Sequence, residues 1–329
     1  MAKIFVTGAD GMLGSNLVRE LLSRNYEIRA LIQKGRQSPT LEGLDIEQFE
    51  GDLLDKESMD KAMEGCEYVI HVAAITNVWP SQDPIFHKIN VEGTENIIEL
   101  CLKHQVKRLV HVGSASSFGF GEKSQPGDEG TPYKSAKYGL DYIDTKREGQ
   151  IRVEEAVKEK GLQAVIVNPT FMIGPYDTKP NAGQIILGVY EGKTPGFSPG
   201  GKNWVYVKDV AIGIANALTM GKIGESYILG HENLSFKEAF EIISRIVGKP
   251  MPSFAAPGGL IKLVGRMGSL IGNITKTTPT LSYEMAWISC DGHYFSPEKA
   301  KKELDLPQTP IEVGIKEAFQ WFDDNGYLK

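Results

Sequence analysis

The sequence predicts an α/β protein with a doubly wound, parallel sheet and a smaller, mixed region towards its carboxyl end. Two observations support this prediction. Short apolar runs alternate with helical patterns over the first half of the chain, as in parallel βαβ units. The first apolar run also passes directly into a glycine-rich turn that opens a helix. A chain of 329 residues can bury the large core that such a sheet requires.

The first unit is the apolar strand IFV at residues 4–6, followed by TGADGMLG at residues 7–14 and then by leucines at helical spacing. Glycines at this spacing allow a tight turn, close approach of the backbone to a phosphate, and close packing of the helix on the strand. The pyrophosphate of a dinucleotide would then lie at the helix N-terminus, as in a Rossmann-type site. The predicted contacts are Gly8, Gly11, Met12, Leu13 and Gly14.

The residues after the second predicted strand, Glu27 to Ile32, bear on which dinucleotide is bound. A site that reads the ribose 2′-hydroxyl of NAD carries an Asp or Glu at the end of this strand. Here the chain continues with QKGR, so Lys34 and Arg36 take that place. Cations suit the 2′-phosphate of NADP. We therefore expect the protein to bind NADP, with NAD as the alternative. If neither cation contacts the cofactor, these residues form a solvated basic loop.

Three further strands end in residues that suit the cofactor edge of the sheet. The third ends near Asp52, whose carboxylate can accept from the adenine amino group, and Leu53 follows it. The fourth ends in Ala73 and Ala74, small residues that let a cofactor pass close to the backbone. The fifth leads into a serine-rich turn at Ser114. Because ligands of such sheets bind beyond the carboxyl ends of the strands, we expect these residues in the site.

Two stretches further along have the same chemistry at the same spacing: Tyr133 with Lys137, and Tyr142 with Lys146. Residues four apart lie on one face of a helix. A Lys ammonium near a phenol favours the phenolate, so such a Tyr can exchange a proton near neutral pH. Either pair is therefore a candidate for proton transfer.

The surroundings of the two pairs differ. Residues 119–132 are rich in Gly, Pro and Asp, which predicts a loop before Tyr133. Apolar residues recur at helical spacing after Tyr142 until Gly161 ends the pattern. We therefore predict that Tyr142 and Lys146 form the reactive pair, and that Tyr133 lies in a solvated loop or at the rim of the substrate cleft.

The order of these motifs resembles the extended short-chain dehydrogenase/reductase family, within the NAD-dependent epimerase/dehydratase superfamily. The resemblance runs from the start of the chain to about residue 211, with weaker matches near the carboxyl end. It rests on TGADGMLG at 7–14, GDL at 51–53, HVAA at 71–74, Asn90, the Ser114 turn, Tyr-x-x-x-Lys, NPT at 168–170, GP at 174–175 and VKDVA at 207–211.

The resemblance implies a catalytic Ser, Tyr and Lys. The Tyr exchanges a proton with the substrate oxygen, the Lys lowers the pKa of the Tyr and holds the nicotinamide ribose, and the Ser hydrogen-bonds the substrate oxygen. Ser114 is the predicted serine because it directly follows the strand, and Ser116 is the second choice. Lys146 lies closer to Pro169 than Lys137 does, which is similar to members of the flavonoid-reductase type. Pro169 is a predicted cofactor contact.

The resemblance leaves three functions open. The first is NADP(H)-dependent reduction of a ketone or aldehyde on a hydrophobic small molecule, or the reverse oxidation, similar to dihydroflavonol reductases and 3β-hydroxysteroid dehydrogenases. The second is a nucleotide-sugar 4-epimerase or dehydratase with tightly bound NAD. Phe171 stands where sugar enzymes carry an Asn, and no carboxylate follows Ser114, so we favour the reductase. The third is a regulatory dinucleotide-binding protein, which the intact Tyr-Lys pair disfavours.

An apolar substrate pocket is predicted from residues near these motifs. Its predicted members are Trp79, Ser116, Phe118, Tyr133 and Phe171. We expect residues 1–170 to form the dinucleotide-binding domain, with return segments near 204–230, and residues 171–329 to form mainly the substrate-binding region. Within the latter, residues 258–274 predict an apolar helix. Core packing is its expected role, and lining the cleft or touching a membrane are the alternatives.

The composition of the chain limits the classes of binding partner that we expect. The net charge of −6 with mixed signs gives no electrostatic reason to expect nucleic acid. No apolar run is long enough for stable membrane insertion, and the Cys and His residues lack metal-ligand spacing. We expect a cytoplasmic enzyme that binds a small carbonyl or alcohol substrate and no metal. The family resemblance implies a homodimer that pairs through helices near 91–104 and 142–160.

Overall fold

The computed structural model describes residues 2–328. The strands are short and begin close to the predicted apolar runs. Their bounds are β1 Lys3–Thr7, β2 Glu27–Gln33, β3 Glu47–Gly51, β4 Tyr68–His71, β5 Arg108–Val112, β6 Ala164–Pro169, β7 Phe171–Ile173, β8 Gly196–Phe197, β9 Gly201–Tyr206, β10 Ser226–Leu229, β11 Glu232–Ser235, β12 Phe254–Ala255 and β13 Gly292–His293.

Helices separate most of these strands. Their bounds are α1 Met12–Ser23, α2 Lys56–Met63, α3 Pro84–His87, α4 Gly93–Lys103, α5 Asp141–Lys160, α6 Gln184–Tyr190, α7 Val207–Ala217, α8 Phe236–Val247, α9 Gly258–Thr275, α10 Tyr283–Ile288, α11 Glu298–Glu303 and α12 Ile311–Asp324. A π-helical turn at Lys88–Glu92 joins α3 to α4. Helical backbone therefore begins before Asn90, where the sequence pattern predicts its start.

The main sheet confirms the predicted fold class. Among the described residues it has seven strands in the order β10-β6-β5-β4-β1-β2-β3, and every neighbouring pair is parallel. The chain winds from β1 outwards to β3, then returns to the other side of β1 with β4. The strand order therefore reverses between β1 and β4, which is where doubly wound sheets bind their ligands.

The two faces of the main sheet bury separate cores, because successive side chains of a strand point to opposite faces. Ile4 and Val6 pack in a core that includes residues of α1 and α7. Phe5 and Val69 pack in the other core, with residues of α2, α4 and α5. Helices cover both faces, so the carboxyl edge of the sheet is where loops can form a site.

The carboxyl-terminal part contributes a strand to the main sheet and a sheet of its own. The predicted return strand is β10, which pairs with β6. A smaller mixed sheet joins β7, β9, β11 and β13, and α6, α8 and α12 pack around it. Ser235 caps α8 in a capping box with Glu238. The division of the chain at residue 170 remains a prediction.

Helix α9 corrects the expectation of core packing. Its large apolar side chains are exposed, with Leu270 at 62% and Ile274 at 73% of full accessibility. The buried positions of this helix are Ile261, Gly265 and Gly272. The apolar period correctly predicts a helix, but the core lies on the glycine side of that helix. Among the described residues, no helix combines the length and apolarity needed to cross a membrane.

Candidate active site

The glycine turn lies between β1 and α1, against the end of β4. Gly8 has a φ of +68°, and a Cβ there would lie 2.7 Å from the backbone nitrogen of Ala73. A Cβ at Gly14 would lie 2.0 Å from the carbonyl oxygen of Gly8. At Gly11 the nearest such atom is that same oxygen, at 3.6 Å. The first and third glycines are therefore required by packing, whereas the space beside Gly11 can admit a phosphate.

Helix α1 begins directly at this turn. Gly11 is its N-cap, no side chain of the described residues caps it, and the first turn holds no acidic residue. The first N–H groups and the helix dipole therefore favour an anion beside the turn. Met12 is half-buried there, and Leu13 packs in the core beneath it. These residues fit the pyrophosphate of a dinucleotide.

The basic loop after β2 folds back over the glycine turn. Arg36 Nε lies 2.6 Å from Oδ2 of Asp10, which is part of that turn. Lys34 is exposed nearby in sequence, and β2 ends in Gln33 rather than in an acid. The loop beside the glycine turn therefore carries two cations, one of which is already held by a carboxylate.

Asp52, Leu53 and Pro169 lie at strand ends, as expected. Asp52 is exposed, and its Oδ1 accepts from the backbone N–H of Leu54 at 2.9 Å. Leu53 is buried, and its carbonyl oxygen accepts from Nδ2 of Asn96 at 2.9 Å. Pro169 is the buried last residue of β6. Asp52 thus presents a carboxylate whose second oxygen can receive a ligand.

A buried polar network supports the sheet edge behind the turn. His71 Nδ1 lies 2.8 Å from Oγ1 of Thr7, and its Nε2 lies 3.2 Å from Oγ1 of Thr94. The Thr7 hydroxyl also accepts from the N–H of Ala73 at 3.2 Å. Burial, with a smaller effect from the Lys146 ammonium, lowers the pKa of His71 to about 3. The imidazole is therefore neutral and fixes the Thr7 hydroxyl, which in turn holds the backbone of Ala73. Ala74, which follows, is half-buried.

Ser114 and Tyr142 meet at the end of β5. Ser114 opens a short 3₁₀ turn, Ala115–Ser117, and its Oγ accepts from the N–H of Ser116 at 3.2 Å. Tyr142 lies in the first turn of α5. Burial raises the pKa of Tyr142, and the neighbouring Ser114 hydroxyl acts in the opposite direction. The Ser114 hydroxyl is thus the group beside the Tyr142 phenol that favours its ionisation.

Lys146 lies one turn further along α5. Its side chain is buried, and Nζ donates to the carbonyl oxygen of Val112 at 2.7 Å. Burial lowers the pKa of Lys146 to about 8. The ammonium is therefore anchored at the end of β5, and the neighbouring group that lowers the pKa of Tyr142 is the Ser114 hydroxyl.

Asn90 holds α5 against the loop that follows β4. Its Nδ2 donates to Oγ1 of Thr145 at 3.0 Å and to the carbonyl oxygen of Ile75 at 3.1 Å. Its Oδ1 accepts from the N–H of Ile75 at 2.9 Å. This buried amide therefore sets the distance between the cofactor edge of the sheet and the turn of α5 that carries Tyr142.

The first Tyr-Lys pair is arranged differently. The Tyr133 hydroxyl donates to Oδ1 of Asp144, and burial together with this carboxylate raises the pKa of Tyr133 above its ordinary value. Lys137 Nζ lies 2.6 Å from Oδ2 of Asp291. Each member is thus held by its own carboxylate. Tyr133 is half-buried rather than solvated, and it packs against the cluster that contains Tyr142.

The predicted substrate residues do not form a single group. Phe118 is buried in the cluster against which Tyr133 and Tyr142 pack. Phe171 packs against the core of the smaller sheet, with its ring edge-on to Trp204. The Trp79 ring lies against α9, 3.0 Å from where a Cβ on Gly272 would stand. The Ser114 turn holds Ser116, as described. Ser116, Phe118 and Tyr133 are therefore the members that approach Ser114 and Tyr142.

Lys202 is a charged residue at this end of the molecule that sequence reasoning missed. It lies on β9, and its Nζ stands 4.6 Å from the centre of the Phe171 ring. Burial lowers the pKa of Lys202 to about 8. The signal in the sequence was a Lys just before the apolar residues of GKNWVY, but only the pairing of β7 with β9 brings it to Phe171.

Comparison with known proteins identifies the family. A sequence model of the NAD-dependent epimerase/dehydratase family matches residues 4–230, over half of the chain. The chain belongs to this family. The resemblance to extended short-chain dehydrogenase/reductases is thereby confirmed, and relatives named as reductases and dehydrogenases make the chain an oxidoreductase of this superfamily.

Full-length relatives agree with this assignment. A Synechocystis protein named, provisionally, as a dihydroflavonol 4-reductase is 33% identical, over 99% of this chain and 96% of its own length. Sterol demethylase protein B of Methylococcus capsulatus is 30% identical, over 98% of this chain and 99% of its own. The crystal structure of gox2253 has a TM-score of 0.88 at 33% identity and covers 100% of both chains.

More distant structures share the fold alone. The UDP-glucose 4-epimerase of Thermus thermophilus, solved with NAD, has a TM-score of 0.77 at 23% identity and covers 98% of this chain and 99% of its own. Reductases and sugar epimerases are therefore built on the same backbone, and only side chains can distinguish them.

Proposed function

We propose that this oxidoreductase reduces a ketone or aldehyde of a hydrophobic small molecule with NADPH, and that Tyr142 is the proton donor. The observation that carries the proposal is that Ser114, Tyr142 and the buried Lys146 come together at the end of β5, where the Ser114 hydroxyl lowers the pKa of the Tyr142 phenol against the effect of burial. Relatives named for dihydroflavonol and sterol substrates support the hydrophobic substrate class.

The residues divide the reaction as follows. The bound dinucleotide supplies the hydride to the carbonyl carbon. Tyr142 gives its phenolic proton to the carbonyl oxygen, so the product is an alcohol. Ser114 donates a hydrogen bond to the same oxygen and then to the phenolate. Lys146 holds the ribose hydroxyls and stabilises the phenolate electrostatically. Because burial keeps Tyr142 protonated at neutral pH, its resting state suits reduction.

NADP is favoured over NAD by the loop after β2. Lys34 and Arg36 lie where a reader of the 2′-hydroxyl would place an acid. Arg36 is bound to Asp10 beside the glycine turn, so its guanidinium already faces the turn that would hold the pyrophosphate. The family uses NAD or NADP, and the related epimerase structure holds NAD, which keeps NAD as the alternative.

A fluorescence titration tests the cofactor. The four tryptophans allow NADPH and NADH to be titrated separately against the whole protein. We expect tighter binding of NADPH, and Arg36→Gln should remove most of that preference. Arg245→Gln, a change to an exposed arginine on α8, is the matched control. Equal affinities for the two dinucleotides in the parent protein would contradict the NADP assignment.

A second candidate function is nucleotide-sugar 4-epimerisation with bound NAD. Lys202 favours it, because a half-buried ammonium beside Phe171 offers a diphosphate the charge that the ring itself lacks. Incubation with UDP-glucose or UDP-galactose, followed by product analysis, separates the two functions. If the parent protein interconverts the two sugars and Lys202→Met does not, the epimerase function would replace the proposed reductase function. Turnover of hydrophobic carbonyls without sugar conversion would support the reductase.

We also propose a cytoplasmic homodimer that pairs through α4 and α5. These helices pack together, and Arg152 on α5 forms ion pairs with Glu95 on α4 and with Glu148. A dimer here would meet through charged surfaces, so its stability should fall with added salt. Light scattering of the parent protein at low and high salt tests this; a monomer at both would contradict it.

A further inference from the structure

Helix α9 packs on the protein through its glycines. A Cβ on Gly265 would lie 2.5 Å from Cβ of Ala286 on α10, and one on Gly268 would lie 2.3 Å from the carbonyl oxygen of Leu281. At Gly272 the neighbours are Thr277 and Trp79. Because these positions lack side chains, the helix axis lies unusually close to the protein, and the large side chains must point elsewhere.

The opposite side of α9 is a continuous apolar face. Its members recur at helical spacing and all are exposed by more than two fifths. They are Leu260, Leu263, Val264, Met267, Leu270, Ile271 and Ile274. We call this set the outer face of α9. Scattered exposed apolar residues are ordinary, but a helical stripe of this length indicates a surface that contacts something apolar.

The charges on α9 and directly after it have one sign. Lys262 and Arg266 lie on the flank of α9 between its outer and glycine faces, and Lys276 follows its last residue. No Asp or Glu occurs from residue 242 to residue 283, although the whole chain is acidic. Lys262 Nζ lies 5.3 Å from the ring centre of Trp287, and Arg266 Cζ lies 4.9 Å from that of Tyr283. Cations and aromatic rings thus border the apolar stripe.

The apolar stripe, the cations and the aromatic rings together favour one binding partner for the outer face of α9. An anionic lipid surface offers acyl chains to the stripe and phosphate groups to the cations, while aromatic rings favour the boundary between them. A second copy of this chain fits less well, because a two-fold interface sets each surface against itself and would oppose cation to cation.

We propose that the outer face of α9 docks this protein on an anionic phospholipid membrane, with the helix lying flat at the interface and not crossing it. Lys262, Arg266 and Lys276 would reach the headgroups while the leucines enter the acyl boundary. The Trp79 ring lies against the glycine side of the same helix. Docking would therefore bring Trp79, which the sequence predicts as a substrate contact, close to the lipid surface.

Vesicle flotation tests the docking without any turnover, so its result does not depend on the proposed function. The full chain is mixed with vesicles of phosphatidylcholine alone or of phosphatidylcholine with phosphatidylglycerol. We expect flotation with the anionic vesicles that weakens in high salt. Replacing Leu263, Leu270 and Ile274 together by Ser should reduce binding by roughly tenfold or more. Thermal denaturation of each variant checks that it remains folded.

Two further variants sharpen the test. Lys262→Gln combined with Arg266→Gln should remove the preference for anionic vesicles and leave weak binding to both. Met220→Ser combined with Val313→Ser changes exposed apolar residues on other surfaces and should float as the parent does. Equal flotation of the triple-Ser variant and the parent would overturn the proposal.

Two other outcomes would also overturn it. If the parent protein does not bind vesicles, and light scattering finds a dimer that the triple-Ser variant cannot form, the outer face is an interface between copies. If the parent protein does not bind vesicles, and the triple-Ser variant differs from it only in a higher KM for a soluble carbonyl compound, the outer face belongs to the substrate cleft.

Discussion

The two Tyr-Lys pairs have the same residues at the same spacing, and the folded chain treats them in opposite ways. At Tyr142 the neighbouring Ser114 hydroxyl favours the phenolate, although burial raises the pKa of the phenol. At Tyr133 a carboxylate accepts from the phenol, which holds the proton in place. Lys146 is buried at the end of β5, whereas Lys137 is bound to Asp291.

The difference shows that a Tyr-x-x-x-Lys motif does not by itself specify proton transfer. The partner of the phenol decides whether the proton can leave, and that partner comes from another segment of the chain. Ser114 follows β5, far from Tyr142 in the sequence. Four experiments can break or sharpen this comparison.

The largest effect is expected from Tyr142→Phe. Loss of the phenolic proton should lower kcat by roughly two to four orders of magnitude, with the Kd for the dinucleotide unchanged. Steady-state kinetics and fluorescence titration measure the two quantities. Tyr133→Phe is the matched control and should retain kcat within a few-fold. A reversed ranking would transfer the proposed role to Tyr133.

Lys146→Met should lower kcat/KM by roughly two orders of magnitude, because the ammonium would no longer hold the ribose or stabilise the phenolate. It should also weaken dinucleotide binding, which Tyr142→Phe should not. Lys137→Met, which removes an exposed ion pair with Asp291, should change both quantities little. Full activity in Lys146→Met would contradict the proposed pair.

The buried Lys146 should also leave a signature in the pH dependence of stability. Its pKa is about 8 in the folded chain and about 10.4 when unfolded, so the unfolded state binds more protons between these values. The cost of burying the charge is full below pH 8 and disappears as the pH rises through this window. Relative to Lys146→Met, the parent should therefore gain up to roughly 3 kcal/mol in its free energy of unfolding from pH 7.5 to 10.

Urea denaturation of the two proteins across that pH range measures this difference. Lys202 has a similarly lowered pKa and contributes to both proteins equally, so it cancels in the comparison. A difference that stays constant with pH would mean that Lys146 is not buried as a charged group in solution.

The smallest effect is expected from Asp144→Asn. Loss of the carboxylate should lower the pKa of Tyr133 towards its ordinary value, although burial of the ring still opposes ionisation. An ultraviolet titration detects this shift by comparison with Tyr133→Phe, in which the signal is absent. Turnover should remain within a few-fold of the parent protein. A large loss of kcat would show that this first pair supports the reaction after all.

Much of the fold followed from local patterns. Glycines at 8, 11 and 14 between a strand and a helix predicted the turn, and the apolar runs predicted each strand of the main sheet within a few residues. The fourth strand was predicted to reach Ala74 but ends at His71, because the backbone N–H of Ala73 turns to the Thr7 hydroxyl. Such local errors arise where a side chain replaces a strand partner.

The errors with larger consequences concern residues whose surroundings come from distant segments. Lys202 reaches Phe171 only because β9 pairs with β7. Asp291 reaches Lys137 from the far end of the chain. Burial and charge pairing depend on long-range packing, so no period within one segment can predict them.

Helix α9 shows the same difference between what local sequence predicts and what long-range packing decides. Its sequence alone determined that it is a helix with an apolar stripe. Local sequence patterns likewise predicted the glycine turn, the doubly wound sheet and the choice of Tyr142. Which side of α9 meets the protein was decided by tertiary structure, since glycines pack closer to α10 than leucines can. The hydroxyl at Tyr142 and the carboxylate at Tyr133 were decided in the same way. A sequence fixes which side chains are available, whereas packing selects the neighbours that set their exposure and their protonation.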